Sequence, residues 1–425
     1  MSDHLIEQAK EILRRNDRGA YSVPTHGLYP FQWNWDSALS ALGFSHFDEA
    51  RAWTEIQTLF EHQWEDGMVP HIIFHEHDEG YFPGPDIWGT GAAVPTSGIT
   101  QPPVAGFAAS KMFDRASDTE LATKQARALL PRIHAWHKWF FECRDPKGTG
   151  LVALIHPWES GRDNSVDWDD VFERVPTDDV QPFQRRDLQH ADPDHRPTDE
   201  QYLRYIWLVQ RFRSLGWDNV KLHDASPFQV VDPGFNAILQ RSCAELAVLA
   251  DRLNESEIAA ESRSLASKGR AAMDTLWNDK LGQYLCFDRT AGKLIDSPSI
   301  AGLLAVFADT PEDKAKAIAQ RIGDLSERCE YLVPSHDPDA AEFDGRRYWR
   351  GPVWLIVNYM IADGLYNASQ VAMADRIRQD CLRLIHESGF AEYYDPTTGA
   401  PCGGTQFTWT AAMVIEILKT QQIAA

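Results

Sequence analysis

Two carboxylates set in aromatic loops offer the chemistry of glycosidic cleavage. The first is Asp163 in HPWESGRDN, residues 156–164, where Trp158, Glu159 and Arg162 crowd around a Ser160-Gly161 turn. Breaking a glycosidic bond needs a carboxylic acid that protonates the departing oxygen, and apolar or anionic neighbours keep such a group protonated near neutral pH. Asp163 is the candidate acid; the plainer reading is an Asp that caps a turn or a helix. A calcium loop does not fit, because counting Asp163 as position one puts Trp168 where an EF-hand needs Gly and Arg174 where it needs Glu. The second carboxylate is Glu392 in SGFAEYYDPTTGAP, residues 388–401, followed by Tyr393 and Tyr394. An inverting hydrolase needs a base to activate water on the opposite ring face, and neighbouring tyrosines can order that water or stack on a sugar. Glu392 is the candidate base; the alternative is a solvated Glu beside an ordinary DPTTG turn.

Two further strings could wall a sugar pocket. YPFQWNWD brings Tyr29, Trp33, Trp35 and Asp36 together, and YWRGPVW brings Tyr348, Trp349, Arg350 and Trp354 to the start of a helix. Flat apolar faces beside groups that bind hydroxyls suit a sugar, although core packing uses the same residues. The 15 tryptophans are compatible with either use. His71, His75 and His77 in HIIFHEH do not form H-E-x-x-H and have no Cys or carboxylate at partner spacing, so they read as structural and no metal is expected. The sequence also contains no G-x-G-x-x-G, no G-x-x-x-x-G-K-[ST] and no G-x-S-x-G, so no cofactor is expected.

These residues need a frame, and the hydrophobic period supplies one. Apolar residues recur three and four apart over 5–13, 50–60, 121–141, 202–212, 235–253, 259–277, 353–365, 371–385 and 409–418, whereas strand-like alternation is rare. The spacing predicts close to a dozen helices in an all-α fold. Neither sustained heptads nor a fixed-period repeat occurs, which leaves a closed ring of paired helices. Loops near 75–101 and 163–196 exceed what a compact helical domain needs and carry the aromatic and acidic strings, so they read as functional insertions in one domain spanning 1–425.

With 62 acidic and 41 basic residues, the net charge of −21 would repel nucleic-acid phosphate and an anionic membrane surface. The six cysteines form no C-x-x-C pair, and the N-terminus has no apolar signal region. The longest uncharged stretch, 87–110, is broken by Pro95, Pro102 and Pro103, so it cannot form a membrane helix. The expectation is a cytoplasmic protein acting on a small molecule, with a homo-oligomer left open.

Nine strings taken in order resemble bacterial members of glycoside hydrolase family 63 that hydrolyse glucosylglycerate or mannosylglycerate, with glucosylglycerate the first expectation for the substrate. They are YPFQWNWDSA, DGMVPHIIF, GYFPGP, TSGITQPPV, HPWESGRDNS, HRPTDEQYLRY, YWRGPVW, FAEYYDPTTG and TQFTWTAA, which run from near residue 29 to near 411. The resemblance implies an (α/α)6 barrel, with long loops capping the site. It also implies that Asp163 acts as general acid and Glu392 as general base, with inversion at the anomeric carbon. Trp35, Asp36, Gln101, Trp158 and Trp354 match sugar-pocket positions, while Arg196, Tyr202 and Gln406 match positions that hold a glycerate carboxylate. Tyr29, Trp33, Tyr81, Tyr348, Trp349 and Trp409, carried by the same strings, complete the candidate substrate-binding set. Competing readings are an α-glucosidase on another small glycoside, a sugar epimerase, which would need a histidine acid/base pair, and a sugar-binding toroid without activity.

Overall fold

Helices in two concentric layers account for most of the computed structural model, which describes residues 2–185 and 193–424. The outer layer comprises α1 (Ser2–Asn16), α3 (Glu49–Glu61), α5 (Thr119–Cys143), α7 (Ser256–Met273), α9 (Glu312–Leu325) and α11 (Val371–Ser388). The inner layer comprises α2 (Asn34–Phe44), α4 (Ala105–Arg115), α6 (Pro233–Arg252), α8 (Ile300–Leu304), α10 (Leu355–Asn367) and α12 (Thr408–Ala424), with a 3-10 turn at Ala305–Phe307 extending α8. The inner helices touch in the order α2, α4, α6, α8, α10, α12 and back to α2, and α1 closes the outer layer by packing on α12. This is the expected (α/α)6 barrel.

The two layers form for different reasons. Outer helices are amphipathic: α1 buries Ile6, Ala9, Ile12 and Leu13 and exposes its charged face. Their starts are fixed by caps such as Asp48, which accepts from the Arg51 N–H, and Asp118, which accepts from the Leu121 N–H. Inner helices are buried more deeply, α2 and α8 on every side, while α6 exposes Val248 and α10 exposes Tyr366. Every residue of α2 from Asn34 to Phe44 is buried, and the backbone at Gly43 lies so close to α12 that an added Cβ would come within 2.7 Å of Ala412 Cβ. Each fully buried Leu, Ile or Phe contributes roughly 1.5–3 kcal/mol. The period picks out five outer helices, α1, α3, α5, α7 and α11, and three inner ones, α6, α10 and α12, whereas α2, α4, α8 and the outer α9 are not among its segments. It also overruns once: the segment expected to reach Trp277 ends as a helix at Met273, and Trp277 pairs with Tyr284 in a two-residue ladder.

The connections are asymmetric, and this asymmetry makes the site. Each inner helix reaches its outer successor through a short link, at 45–48, 116–118, 253–255, 308–311 and 368–370. Each outer helix returns to the next inner helix through a long one, at 17–33, 62–104, 144–232, 274–299, 326–354 and 389–407. All the long connections therefore gather where the inner helices begin. Short ladders stiffen them: β1 (Gln32–Trp33) pairs with β2 (Ile72–Ile73), and β3 (Ala391–Tyr394) with β4 (Pro401–Thr405) across a bulge. The two expected insertions meet there, since Phe82 stacks on Phe183 at 5.1 Å and both rings pack near Tyr202. Residues 186–192 of the second insertion, Asp192 among them, lie outside the described residues.

Candidate active site

A cavity of about 890 Å³, counted out to its open mouth, lies among these long connections. Its wall brings together thirteen of the expected residues: Tyr29, Trp33, Trp35, Asp36, Tyr81, Gln101, Trp158, Asp163, Arg196, Tyr202, Tyr348, Glu392 and Trp409. Trp35 and Asp36 sit in the first turn of α2 and Trp409 in the first turn of α12, so the helix starts form the floor. Trp35 and Trp409 meet edge to face, with ring centroids 5.7 Å apart.

Glu392 projects from β3 and is only 1% exposed. Its Oε1 accepts from the Tyr29 hydroxyl at 3.1 Å and its Oε2 from the Gly404 N–H at 2.8 Å. Burial pushes its carboxyl above the ordinary value, while the Arg196 charge and these hydrogen bonds pull it back; the net direction is up. Gly403, at φ +71, is required, because a Cβ there would overlap Glu392 Oε2. Asp36, also in the wall, is raised well above the usual carboxylate range by burial and by the facing charges of Glu392 and Glu55.

The loop bearing Asp163 is clamped from behind. Arg162 turns away from the cavity and pairs with Asp167 at 2.9 Å and Asp232 at 2.7 Å, all three buried. Its backbone carbonyl accepts from Trp168 Nε1 at 2.7 Å, and the Asp163 carbonyl accepts from the Tyr205 hydroxyl at 2.8 Å. Asn164 Oδ1 accepts from the Trp349 N–H at 2.9 Å, tying this loop to the YWRGPVW connection. Glu159 is likewise structural, paired with Arg144 at 2.7 Å. At Gly161, φ +70, a Cβ would lie 2.6–3.0 Å from the Trp35 ring, so only glycine lets the loop approach that ring.

Arg196 is 6% exposed, donates to the Tyr29 hydroxyl at 3.2 Å and lies 4.4 Å over the Tyr348 ring. Asp199, one of the acids beside it in sequence, pairs instead with Arg185 at 2.8 Å. Arg185 lies 4.1 Å over the ring of Tyr202.

Three expected residues do not reach the cavity wall. Trp354 and Trp349 stack on each other at 4.0 Å and 3°, and Trp354 stacks in turn on Tyr393, so both indoles form the wall's backing. Gln406 is exposed: the chain turns there at φ +52, its carbonyl accepts from Asn16 Nδ2, and its neighbours are Gln8 and Glu11 of α1. Arg350 is also turned away and is paired with Asp169. Conversely, His71 lines the cavity, stacked on Trp158 and with Nδ1 2.9 Å from Ser97 Oγ, and burial holds its pKa well below the usual value. Its string had read as structural, and only its position on β2's approach to the cavity distinguishes it from His77, which is exposed. Phe82 and Phe407 also line the cavity and carry no local signal beyond their hydrophobicity.

Comparison with known proteins gives this geometry a context. A mannosylglycerate hydrolase from Selaginella moellendorffii is 45% identical over 98% of this chain and 86% of its own. A glucosylglycerate hydrolase from Mycolicibacterium hassiacum is 34% identical over 97% of each chain. The crystal structure of a GH63 mannosylglycerate hydrolase from Thermus thermophilus, in complex with Tris and D-glycerate, superposes with a TM-score of 0.94 at 45% identity, covering 98% of this chain and 100% of that one. Residues 29–410, which carry all of the cavity's lining except Pro24 and Leu28, match the mannosylglycerate hydrolase MGH1-like glycoside hydrolase domain; the chain belongs to that family and is a glycoside hydrolase.

Proposed function

We propose that the whole chain acts as one inverting α-glycosidase that cleaves a sugar from glycerate, with mannosylglycerate as the leading substrate and glucosylglycerate as its competitor. The observation that carries this reading is a single cavity in which two carboxylates from different connections, Asp163 and Glu392, share the wall with a buried cation, Arg196. Asp163 gives its proton to the glycosidic oxygen as the bond to the anomeric carbon breaks. Glu392 takes a proton from the water whose oxygen bonds to that carbon from the opposite face. Trp35, Asp36, Gln101, Trp158 and Trp409 hold the sugar, and Arg196 with Tyr202 holds the carboxylate of the leaving glycerate. In a chain of net charge −21 an anionic substrate needs such a local cation. Mannose leads because the relative at 45% identity is named for mannosylglycerate and the relative at 34% for glucosylglycerate. An epimerase would need a histidine pair, and His71 is the one histidine among the described lining residues.

The test is hydrolysis of α-mannosides and α-glucosides with acidic and neutral aglycones, followed by proton NMR of the nascent sugar. The β-anomer formed first, and a loss of about 10²–10⁴ in kcat for Asp163→Asn and for Glu392→Gln with the fold intact, are the expected results. An α-anomer formed first, or wild-type kcat in either variant, overturns the assignment. No helix among the described residues is long and apolar enough to cross a membrane. The six cysteines are buried and unpaired, which suits a reducing compartment, and we place the enzyme in the cytoplasm on that ground.

A further inference from the structure

Tyr29 joins the two functional ends of the cavity. Its hydroxyl accepts a hydrogen bond from Arg196 Nη1 at 3.2 Å and donates one to Glu392 Oε1 at 3.1 Å. Burial raises its phenol far above the usual value, so it remains a neutral hydroxyl that both accepts and donates. Resting on the function proposed above, we propose that Tyr29 is a positioning residue that couples the aglycone to the base: an anion seated on Arg196 strengthens Glu392 as a proton acceptor through the Tyr29 hydroxyl.

The physical reason is charge compensation. With Arg196 bare, its guanidinium favours the Glu392 carboxylate directly through its charge and further by polarising the Tyr29 O–H toward it, which makes Glu392 a weaker base. Once a substrate carboxylate neutralises Arg196, that polarisation falls and the proton affinity of Glu392 rises. Other groups facing Glu392 are Asp36 from α2, the Tyr348 hydroxyl from the connection before α10, Tyr393 on its own strand, and Cys402 with the Gly404 N–H on β4. Asp163 faces Tyr348 and Tyr81 across the cavity. Of these, Tyr348 also meets Arg196 through its ring face, and its hydroxyl lies 3.4 Å from that of Tyr29, so it belongs to the same relay. The consequence is selection by kcat as well as by KM: an acidic aglycone is turned over faster because its own charge tunes the base.

Two measurements test this. The acid limb of the kcat–pH profile should lie roughly 0.5–1 unit higher for the glycerate substrate than for its neutral glycerol analogue, and Tyr29→Phe should narrow that separation, leaving the part carried directly by the Arg196 charge. Independently of turnover, and whether or not Tyr29→Phe folds, D-glycerate binding to the wild-type protein should take up protons. Calorimetry in buffers of different ionisation enthalpy reads this uptake, and Glu392→Gln should abolish it. Coincident limbs for the two substrates, an unchanged separation in Tyr29→Phe, or uptake that persists in Glu392→Gln overturns the coupling. If the acidic aglycone is preferred but the limbs coincide, only the coupling fails. If acidic and neutral aglycones are hydrolysed equally well, the functional reading fails with it.

Discussion

Replacing Arg162 by Met would test whether the acid's loop is held by a buried ion cluster. The change keeps most of the apolar stem and removes a charge paired with Asp167 at 2.9 Å and Asp232 at 2.7 Å, with no side chain of the three more than 3% exposed. Removing one partner of a buried ion pair typically costs about 3–5 kcal/mol, because the remaining charge stays desolvated. Here the orphaned carboxylates retain other donors: Asp232 Oδ1 accepts from the Phe235 N–H as the cap of α6, and Asp167 Oδ2 accepts from Ser165 and Ser299. The loss at pH 7 should therefore fall near the lower end, about 3 kcal/mol. Its pH dependence is the sharper signature. Burial acts to raise Asp167, but Arg162 together with the hydroxyls of Ser299 and Ser297 outweighs it and holds the carboxyl below the usual value, so in the wild type this group's contribution is lost only as pH falls through that depressed range. Without Arg162 burial dominates, Asp167 rises above its unfolded value, and protonation relieves the penalty; the deficit should shrink as pH falls from 7 toward 5. Urea unfolding of wild type, Arg162→Met and Arg162→Met/Asp167→Asn/Asp232→Asn at both pH values is the assay. The triple variant should recover most of the loss, since Asn caps α6 as well as Asp does. A deficit under about 1 kcal/mol at pH 7, or an equal one at pH 5, would refute the reasoning.

Further outcomes can be checked directly. Arg196→Ala should lower kcat/KM on a glycerate-bearing substrate by about tenfold to more than a hundredfold, from a charge-assisted hydrogen bond of roughly 1.5–3 kcal/mol, while the neutral analogue changes little. Gln406→Ala, at an exposed position outside the cavity wall, should stay within about twofold on both substrates. Gly161→Ala should destabilise by about 2–5 kcal/mol, combining left-handed backbone strain with a clash against Trp35, and both the melting temperature and kcat/KM should fall. Glu416, buried against Arg115 and His46, is pushed down to about 2 because these two partners together outweigh the cost of burial. Its contribution, about 3 kcal/mol, should be complete above the ordinary value of 4.5 and lost as pH falls from there toward about 2; acid titration of unfolding should be flatter in Glu416→Gln.

What could be read without a structure was whatever leaves a local imprint. Apolar residues recurring three and four apart marked α1, α3, α5, α7 and α11 in the outer layer and α6, α10 and α12 in the inner, and the strings around Asp163 and Glu392 stood out because aromatic and acidic residues crowd a turn there. Two inner helices leave no such imprint: α2 is buried on every side and α8 is the five-residue run IAGLL, so neither has a polar face to set a period. Nor does a string reveal which way its side chains turn. Trp354 looks as suited to a sugar as Trp35, yet it is stacked between Trp349 and Tyr393, and a single left-handed turn carries Gln406 outward beside α1. Tyr29 and Glu392 are 363 residues apart along the chain and 3.1 Å apart in space. That meeting depends on ring closure, which brings every long connection to one end of the barrel, and closure is a property of all the helices packed together, legible in no single segment.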